Sequence, residues 1–188
     1  YDEEVSVMRR VRIKSVFSDV IEFCVDAKDL TGVLRSFTDD ELTFVYDESS
    51  LFLNIRHGRG VIELPVFDAS EYPRIDATGS GVSFTLDSSV LHDWVRNSVN
   101  FILDDQFKPQ FSGMYLYCSG NVCGVCASDG MRMFVDSVTR DVELPTCEAI
   151  VSGHCFSSLC QLLSSNDGAV TVLIDERNVT FKFSDALL

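Results

Sequence analysis

Short apolar runs, many alternating with polar residues, cover most of the chain. Residues 5–13, 20–25, 41–46, 51–56 and 61–66 are rich in Val, Ile, Phe and Leu. Residues 81–86, 114–119, 122–127, 132–138, 147–151, 169–174 and 179–183 repeat the pattern. Period-two alternation and β-branched content predict strands there. Turn formers punctuate them at Asp47–Ser50, Gly58–Gly60, Ser119–Asn121 and Asn166–Gly168. Three segments instead space their apolar residues by three and four. Ala27–Phe37 carries Leu30, Val33, Leu34 and Phe37 on one face, and Ser88–Phe101 carries Val90, Leu91, Trp94, Val95 and Val99. Gly153–Leu163 does the same with Phe156, Leu159, Cys160 and Leu163. That stripe predicts amphipathic helices lying on sheets. Asp26 and Asp87 stand where N-caps belong.

Each predicted helix follows a strand, and the context recurs. At an offset of 126, Val25, Leu30, Val33 and Leu34 fall on Val151, Phe156, Leu159 and Cys160, and beyond the helix the offset becomes 128. Thr43, Asp47 and Glu48 fall on Thr171, Asp175 and Glu176. The middle helix joins the series through Phe23 on Phe84, Asp26 on Asp87, Leu30 on Leu91 and Val33 on Trp94. A repeated strand–helix–strands unit follows, although any chain of that order shows some self-similarity. Units side by side would continue one sheet, with their helices on one side. The fold class expected is α+β with antiparallel sheets.

The chain has 188 residues, 46% of them hydrophobic and 23% charged, which suits folded domains and excludes a disordered chain. No apolar run reaches the roughly 18–20 residues of a spanning helix. Acids come first (Asp2, Glu3, Glu4), which is not a secretory signal, and the opening residue is Tyr1 rather than Met, as in a processed chain or part of a longer one. A net charge of −14 repels nucleic acid and anionic lipid from most of the surface, so DNA contact is confined to a small, less acidic face. Seven cysteines, an odd count at irregular spacing, read as reduced thiols in a cytoplasmic protein. The loop Phe67–Ile75 holds Pro73 and divides the chain into 1–75 and 76–188.

Four stretches carry a family resemblance: Leu64–Ile75, Phe84–Leu86 with the Ser88 helix, Lys108–Met114 and Ala127–Met133. In order and spacing they resemble the β subunit, or sliding clamp, of bacterial DNA polymerase III. The Ala-Ser-Asp-Gly-Met-Arg-Met turn at 127–133 is the most specific. The resemblance implies the DNA-clamp fold, with helices on the inner face. It makes residues 1–75 the later part of a first domain and 76–188 nearly all of a second. The early first domain and the entire third have no counterpart. It further implies a processivity factor, homodimeric at full length, closed around double-stranded DNA. DNA polymerase and clamp-loader subunits would bind through short linear motifs. No enzyme activity, cofactor or metal is implied.

The carried-over peptide pocket comprises Phe111, Ser128, Gly130, Met131, Arg132 and Met133. Phe111, Met131 and Met133 offer apolar walls, and Arg132 with the Gly130 backbone offers hydrogen bonds to a peptide. Family members usually carry Leu where Phe111 and Met133 stand, so a bulkier Phe111 narrows the pocket. Read from its own residues, Ser128–Gly130 is a plain hairpin turn. The DNA-facing residues implied are Lys28, Arg35, Arg96, Lys108, Gln110 and His154. Gly153–His154 stands where the family tends to place Arg-Lys, and solvated surface charge is the plainer reading of each base. Arg10, Arg12 and Lys14, alternating with Val11 and Ile13, predict one basic strand face.

Enzymatic readings have little support. Cys123-Gly-Val-Cys126 lies in a predicted strand, where a spacing of three points the thiols to opposite faces, rather than at a helix start that would activate them. Cys118 completes a zinc set only with distant partners. Neither a phosphate-binding Gly-rich loop nor a nucleophile elbow is present. The acid pairs Asp39–Asp40 and Asp104–Asp105 read as solvated loops. The rivals to the clamp are a repeat-built interaction module without a DNA role and a thiol redox enzyme using Cys123 and Cys126.

Overall fold

The structure is a computed structural model that describes residues 5–15, 20–37, 41–47, 49–72, 81–103, 105 and 107–188. Pro73, Arg74 and Ile75 of the dividing loop, and Asp39, Asp40, Glu48 and Asp104, lie outside the described residues, as do Tyr1–Glu4. In chain order the elements are β1 (Met8–Arg9), β2 (Cys24–Val25), α1 (Ala27–Arg35), β3 (Thr43–Asp47), β4 (Phe52–His57), β5 (Gly60–Phe67), β6 (Val82–Asp87) and α2 (Ser88–Ser98). There follow β7 (Gly113–Ser119), β8 (Val122–Ser128), β9 (Met133–Thr139), β10 (Cys147–Ser152), α3 (Phe156–Ser164), β11 (Ala169–Ile174), β12 (Val179–Lys182) and β13 (Ala186–Leu187). Two compact units result, one of Lys14–Ile75 and one of Asp76–Leu188 with Tyr1–Ile13.

In the unit Lys14–Ile75, four antiparallel strands run in the order β2-β5-β4-β3. Leu53 on β4 sits opposite Leu64 on β5, and with Ile55 and Val66 they form the buried core. Leu30 and Val33 of α1 pack on it half-buried, and no residue of α1 is fully buried.

The larger unit has two antiparallel sheets, β10-β7-β8-β9 and β1-β13-β12-β11-β6. One core joins them. Leu91, Trp94 and Val95 of α2 meet Phe156, Leu159 and Leu163 of α3, and both sets rest on inward residues such as Leu86, Leu116, Val125 and Val172. The Trp94 indole Nε1 donates to Asp136 Oδ2 at 3.0 Å, so the buried ring keeps its polar partner.

The three helix starts share one conformation. Asp26, Asp87 and Ser152 are all extended, at φ/ψ of −61/125, −71/135 and −59/138. Asp26 caps as expected, its Oδ1 accepting from Lys28 N and Asp29 N at 2.8 and 3.1 Å. Asp87 does not cap through its side chain. Its Oδ2 accepts instead from Arg140 Nη1 at 3.3 Å, an ion pair that draws the carboxylate off the helix end. The third helix begins as a 3₁₀ turn, Gly153–Cys155, before α3.

Two predicted strands shrink. Of 5–13 only Met8–Arg9 is a strand, and of 20–25 only Cys24–Val25. Val11 and Ile13 are 75% and 79% exposed, so the two-faced strand expected for Arg10, Arg12 and Lys14 does not form. The pattern alternated, but on its apolar side Val5 packs on the core while, among the described residues, Val11 and Ile13 find little to bury against. β1 pairs with β13, a short strand the hydrophobic pattern did not indicate.

Candidate functional site

The site grows from the β8–β9 turn. Ser128 ends β8 and Met133 opens β9, the two being register partners. Between them Asp129 acts as the turn's acceptor. Its Oδ1 takes Met131 N at 2.9 Å and Arg132 N at 2.7 Å. The Ser128 hydroxyl donates to Arg132 O at 2.9 Å and accepts from Gly130 N at 3.1 Å. Gly130 takes φ +85°, a left-handed conformation that a Cβ disfavours. The Phe111 ring lies within about van der Waals contact of that position, 3.9 Å from where a Cβ would sit. The fold thus brings Phe111 to the turn across the sequence.

Arg132 turns back on its own loop. Its Nε and Nη2 donate to Asp129 Oδ2 at 2.9 and 2.7 Å, and Nη2 also reaches Asn100 O at 3.3 Å. The guanidinium carbon stands 5.5 Å from the centre of the Phe101 ring, which stacks on Phe134 at 5.9 Å. The two backbone N–H groups and the guanidinium hold the Asp129 carboxyl down at about 2, well below its ordinary 3.8. Met131 and Met133 remain 95% and 63% exposed.

The residues expected to face DNA fall in separate places. Lys28 and Arg35 sit exposed at the two ends of α1. Arg96 is exposed on α2 and paired through Nη2 with Asp93 Oδ1 at 3.0 Å. Lys108 and Gln110 flank Pro109 in the loop before β7, where Asp105 accepts from Phe107 N through its side chain and from Lys108 N through its carbonyl. Of the acid pair Asp104–Asp105, the described member therefore shapes the loop. That loop meets the start of the third helix through Gly153 N donating to Ser112 O at 2.9 Å, which brings the segments of Lys108, Gln110 and His154 together. A Cβ at Gly153 would press on the Ile102 side-chain tip and stand 3.0 Å from Ser112 O, so the approach is tight at this position.

On α2 the solvent side shows Ser89, Asp93, Arg96 and Asn97, and on α3 it shows Ser157, Gln161 and Ser164. Its one cation and one anion pair with each other, leaving this face near neutral on a chain of net charge −14. A cavity of about 650 Å³ opens between the start of α2 and the end of α3, lined among others by Ser88, His92, Asp93, Ser164 and Asn166. The Ser88 hydroxyl donates to Gly168 O and accepts from Asn166 Nδ2, both at 2.6 Å. No sequence signal pointed to this cavity, because Ser88 and its partners are about 80 residues apart.

The cysteines follow strand parity. Cys123 is buried on the inner face of β8 and Cys126 lies on the other. The neighbour of Cys123 is Cys118, whose Sγ donates to it at 2.9 Å, with Cys147 next across β7. Cys118 thus has as neighbours Cys123 from the same hairpin and Cys147 from farther along the chain. The Cys123 bond and burial both push the Cys118 thiol well up, and burial raises Cys147 and Cys155 to about 11, so these thiols stay protonated. Among the described residues no group of His, Cys, Asp or Glu is arranged to hold a metal, and no helix is long and apolar enough to cross a membrane.

Comparison with known proteins places this arrangement. Residues 85–188, more than half of the chain, match the family model described as DNA polymerase III beta subunit, central domain. The beta sliding clamp of Halalkalibacterium halodurans is 22% identical over 95% of this chain and 47% of its own length. That of Haemophilus influenzae is 25% identical over 95% and 48%. The chain spans about half the length of these curated relatives. The DNA polymerase III beta subunit of Thermotoga maritima superposes with a TM-score of 0.81 at 22% identity, over 96% of this chain and 48% of that one. A Pseudomonas aeruginosa sliding clamp solved bound to griselimycin gives 0.85 at 22% identity, over 99% and 50%. The likeness extends beyond the matched domain to nearly the whole chain. The chain belongs to the DNA polymerase III beta subunit family.

Proposed function

We propose that the chain is part of a DNA sliding clamp, with residues 1–75 the later part of a first domain and 76–188 nearly all of a second. The full-length protein closes as a homodimer around duplex DNA in the cytoplasm. It holds DNA polymerase and clamp-loader subunits at the pocket of Phe111, Ser128, Gly130, Met131, Arg132 and Met133. The mechanism is topological: a closed ring stays on the duplex without gripping it, so no residue acts as a catalyst.

The observation that carries this reading is the family match at 85–188, joined to a fold likeness over nearly the whole chain. Two features are compatible with it. The α2–α3 face is close to neutral on a strongly acidic molecule, so it repels phosphates least while leaving DNA free to slide. Arg96, Lys108, Gln110 and His154, with Lys28 and Arg35 of the other unit, are the groups proposed to meet phosphates. The second feature is strand order. β1 pairs with β13 at the end of a sheet, while β9 is one edge of the other. A following repeat has an open strand there to extend.

The test is titration of a Gln-Leu-Ala-Leu-Phe peptide into this chain, followed by amide NMR shifts. Shifts centred on 128–133 and Phe111, lost in Met133→Glu, are expected. No binding by the unaltered chain, or equal binding by Met133→Glu, removes the pocket. The ring is tested on the full-length gene product, by retention on nicked circular duplex and release on linearisation. Equal retention on both removes the topological mechanism.

A further inference from the structure

The exposed apolar groups at the turn, Met131 and Met133, project from a loop whose polar groups point elsewhere. Asp129 uses one carboxylate oxygen on the backbone N–H groups of Met131 and Arg132, and the other on the Arg132 guanidinium. Arg132 carries the connection onward to the carbonyl of Asn100, two residues past the end of α2, and over the ring of Phe101. Phe101 in turn stacks on Phe134 of β9. The turn is thereby fastened at both ends, to the strand it opens and to the helix behind it. Arg132 is the only group bridging the turn to Asn100 among the hydrogen bonds of the described turn residues.

We infer that Asp129 and Arg132 act as one positioning pair for the peptide pocket. The guanidinium, clasped between Asp129, the Asn100 carbonyl and the Phe101 ring, holds the turn in place, and peptide recognition falls to Phe111, Met131 and Met133. This rests on the pocket reading above and alters one part of it: Arg132 braces the rim rather than gripping the ligand. Two of the three guanidinium nitrogens are already engaged, and a donor so held cannot swing to a peptide without releasing the turn.

The experiment uses substitutions on both sides of the complex. Asp129→Asn keeps an oxygen for the two backbone N–H groups but turns an amide, not a carboxylate, toward the guanidinium. Arg132→Ala removes the guanidinium. Affinities are measured for Gln-Leu-Ala-Leu-Phe, for the peptide with its Gln replaced by Ala, and for the peptide with an amidated C-terminus. Each single variant is expected to bind about five- to tenfold more weakly, and the double variant no more weakly than the worse single, as coupled neighbours behave. The Arg132→Ala loss should be the same for all three peptides. In the free chain, the Arg132 Nε–H resonance should be protected from exchange, and Asp129→Asn should abolish that protection.

An Arg132→Ala loss that vanishes when the peptide loses its Gln or its carboxylate makes Arg132 a direct ligand and overturns the inference alone. Additive losses in the double variant, or an unprotected Nε–H in the unaltered chain, overturn it as well. No binding of any peptide by the unaltered chain, or binding unchanged in Met133→Glu, overturns the pocket reading and this inference with it.

Discussion

The unit Lys14–Ile75 and the larger unit start from the same strand–helix–strands plan and reach different cores. In the first, α1 lies on one sheet, its apolar stripe is only half covered, and Leu34 stays 38% exposed. In the second, α2 has α3 beside it and a sheet beneath, and Leu91, Trp94 and Val95 are at 1% exposure or less. A stripe spanning a third of a helix needs more than one surface to bury it. In the larger unit α3 supplies that surface. The difference between the units is therefore one of coverage.

The largest effect is expected from Trp94→Ala. It removes a fully buried ring and is expected to cost about 3–5 kcal/mol in urea unfolding followed by circular dichroism. A cost below about 1 kcal/mol would remove α2 from the centre of its core. Leu30→Ala, the equivalent position to Leu91 but half-buried, should cost about 1–2 kcal/mol by the same measurement. An equal cost at both helices would show that coverage does not distinguish the units.

The caps give a finer contrast. Asp26→Ala loses two hydrogen bonds at a helix start, about 1 kcal/mol. Asp87→Ala loses a partly exposed ion pair with Arg140 and should cost only about 0.2–0.5 kcal/mol. Thermal midpoints of the two variants, compared with the unaltered chain, settle the order, and a larger shift at Asp87 would contradict it. The smallest effect is acid dependence. Asp129 is held at about 2 against an ordinary 3.8, so its stabilising contribution is full above 3.8 and is lost as pH falls through about 2. Carboxyl NMR should place the Asp129 midpoint near 2, and a midpoint near 4 would mean that the backbone N–H bonds of Arg132 and Met131 to Asp129 are absent as well as the guanidinium clasp.

Much of the fold was legible because local signals agreed. Helical spacing placed all three helices, and alternation placed β4, β5, β7, β8, β10 and β11 within a residue or two. Alternation misled at 5–13, where Val11 and Ile13 have the pattern of a half-buried strand but stay exposed among the described residues. Asp87 had the residue type of a cap, but an arginine 53 residues away claimed its carboxylate. The Ser-Asp-Gly turn was readable from side-chain chemistry, but Arg132, read as a peptide donor, turns out to pair with Asp129. The reach of Arg132 to Asn100 was not readable, since no local rule links positions 32 apart. The cavity between the helix ends and the cluster of Cys118, Cys123 and Cys147 were invisible for the same reason.

By itself, then, the order of residues determined the alternation of strands and helices, the tight turn at Gly130, the excess of negative charge and the family pattern. These depend on interactions within a few positions of the chain or on simple counts. Which stripes became buried, which carboxylate capped and which paired, and where Arg132 directs its donors were decided only by the packed structure. Those outcomes depend on groups brought together from distant parts of the chain, where competition between partners, not local preference, sets the lowest free energy.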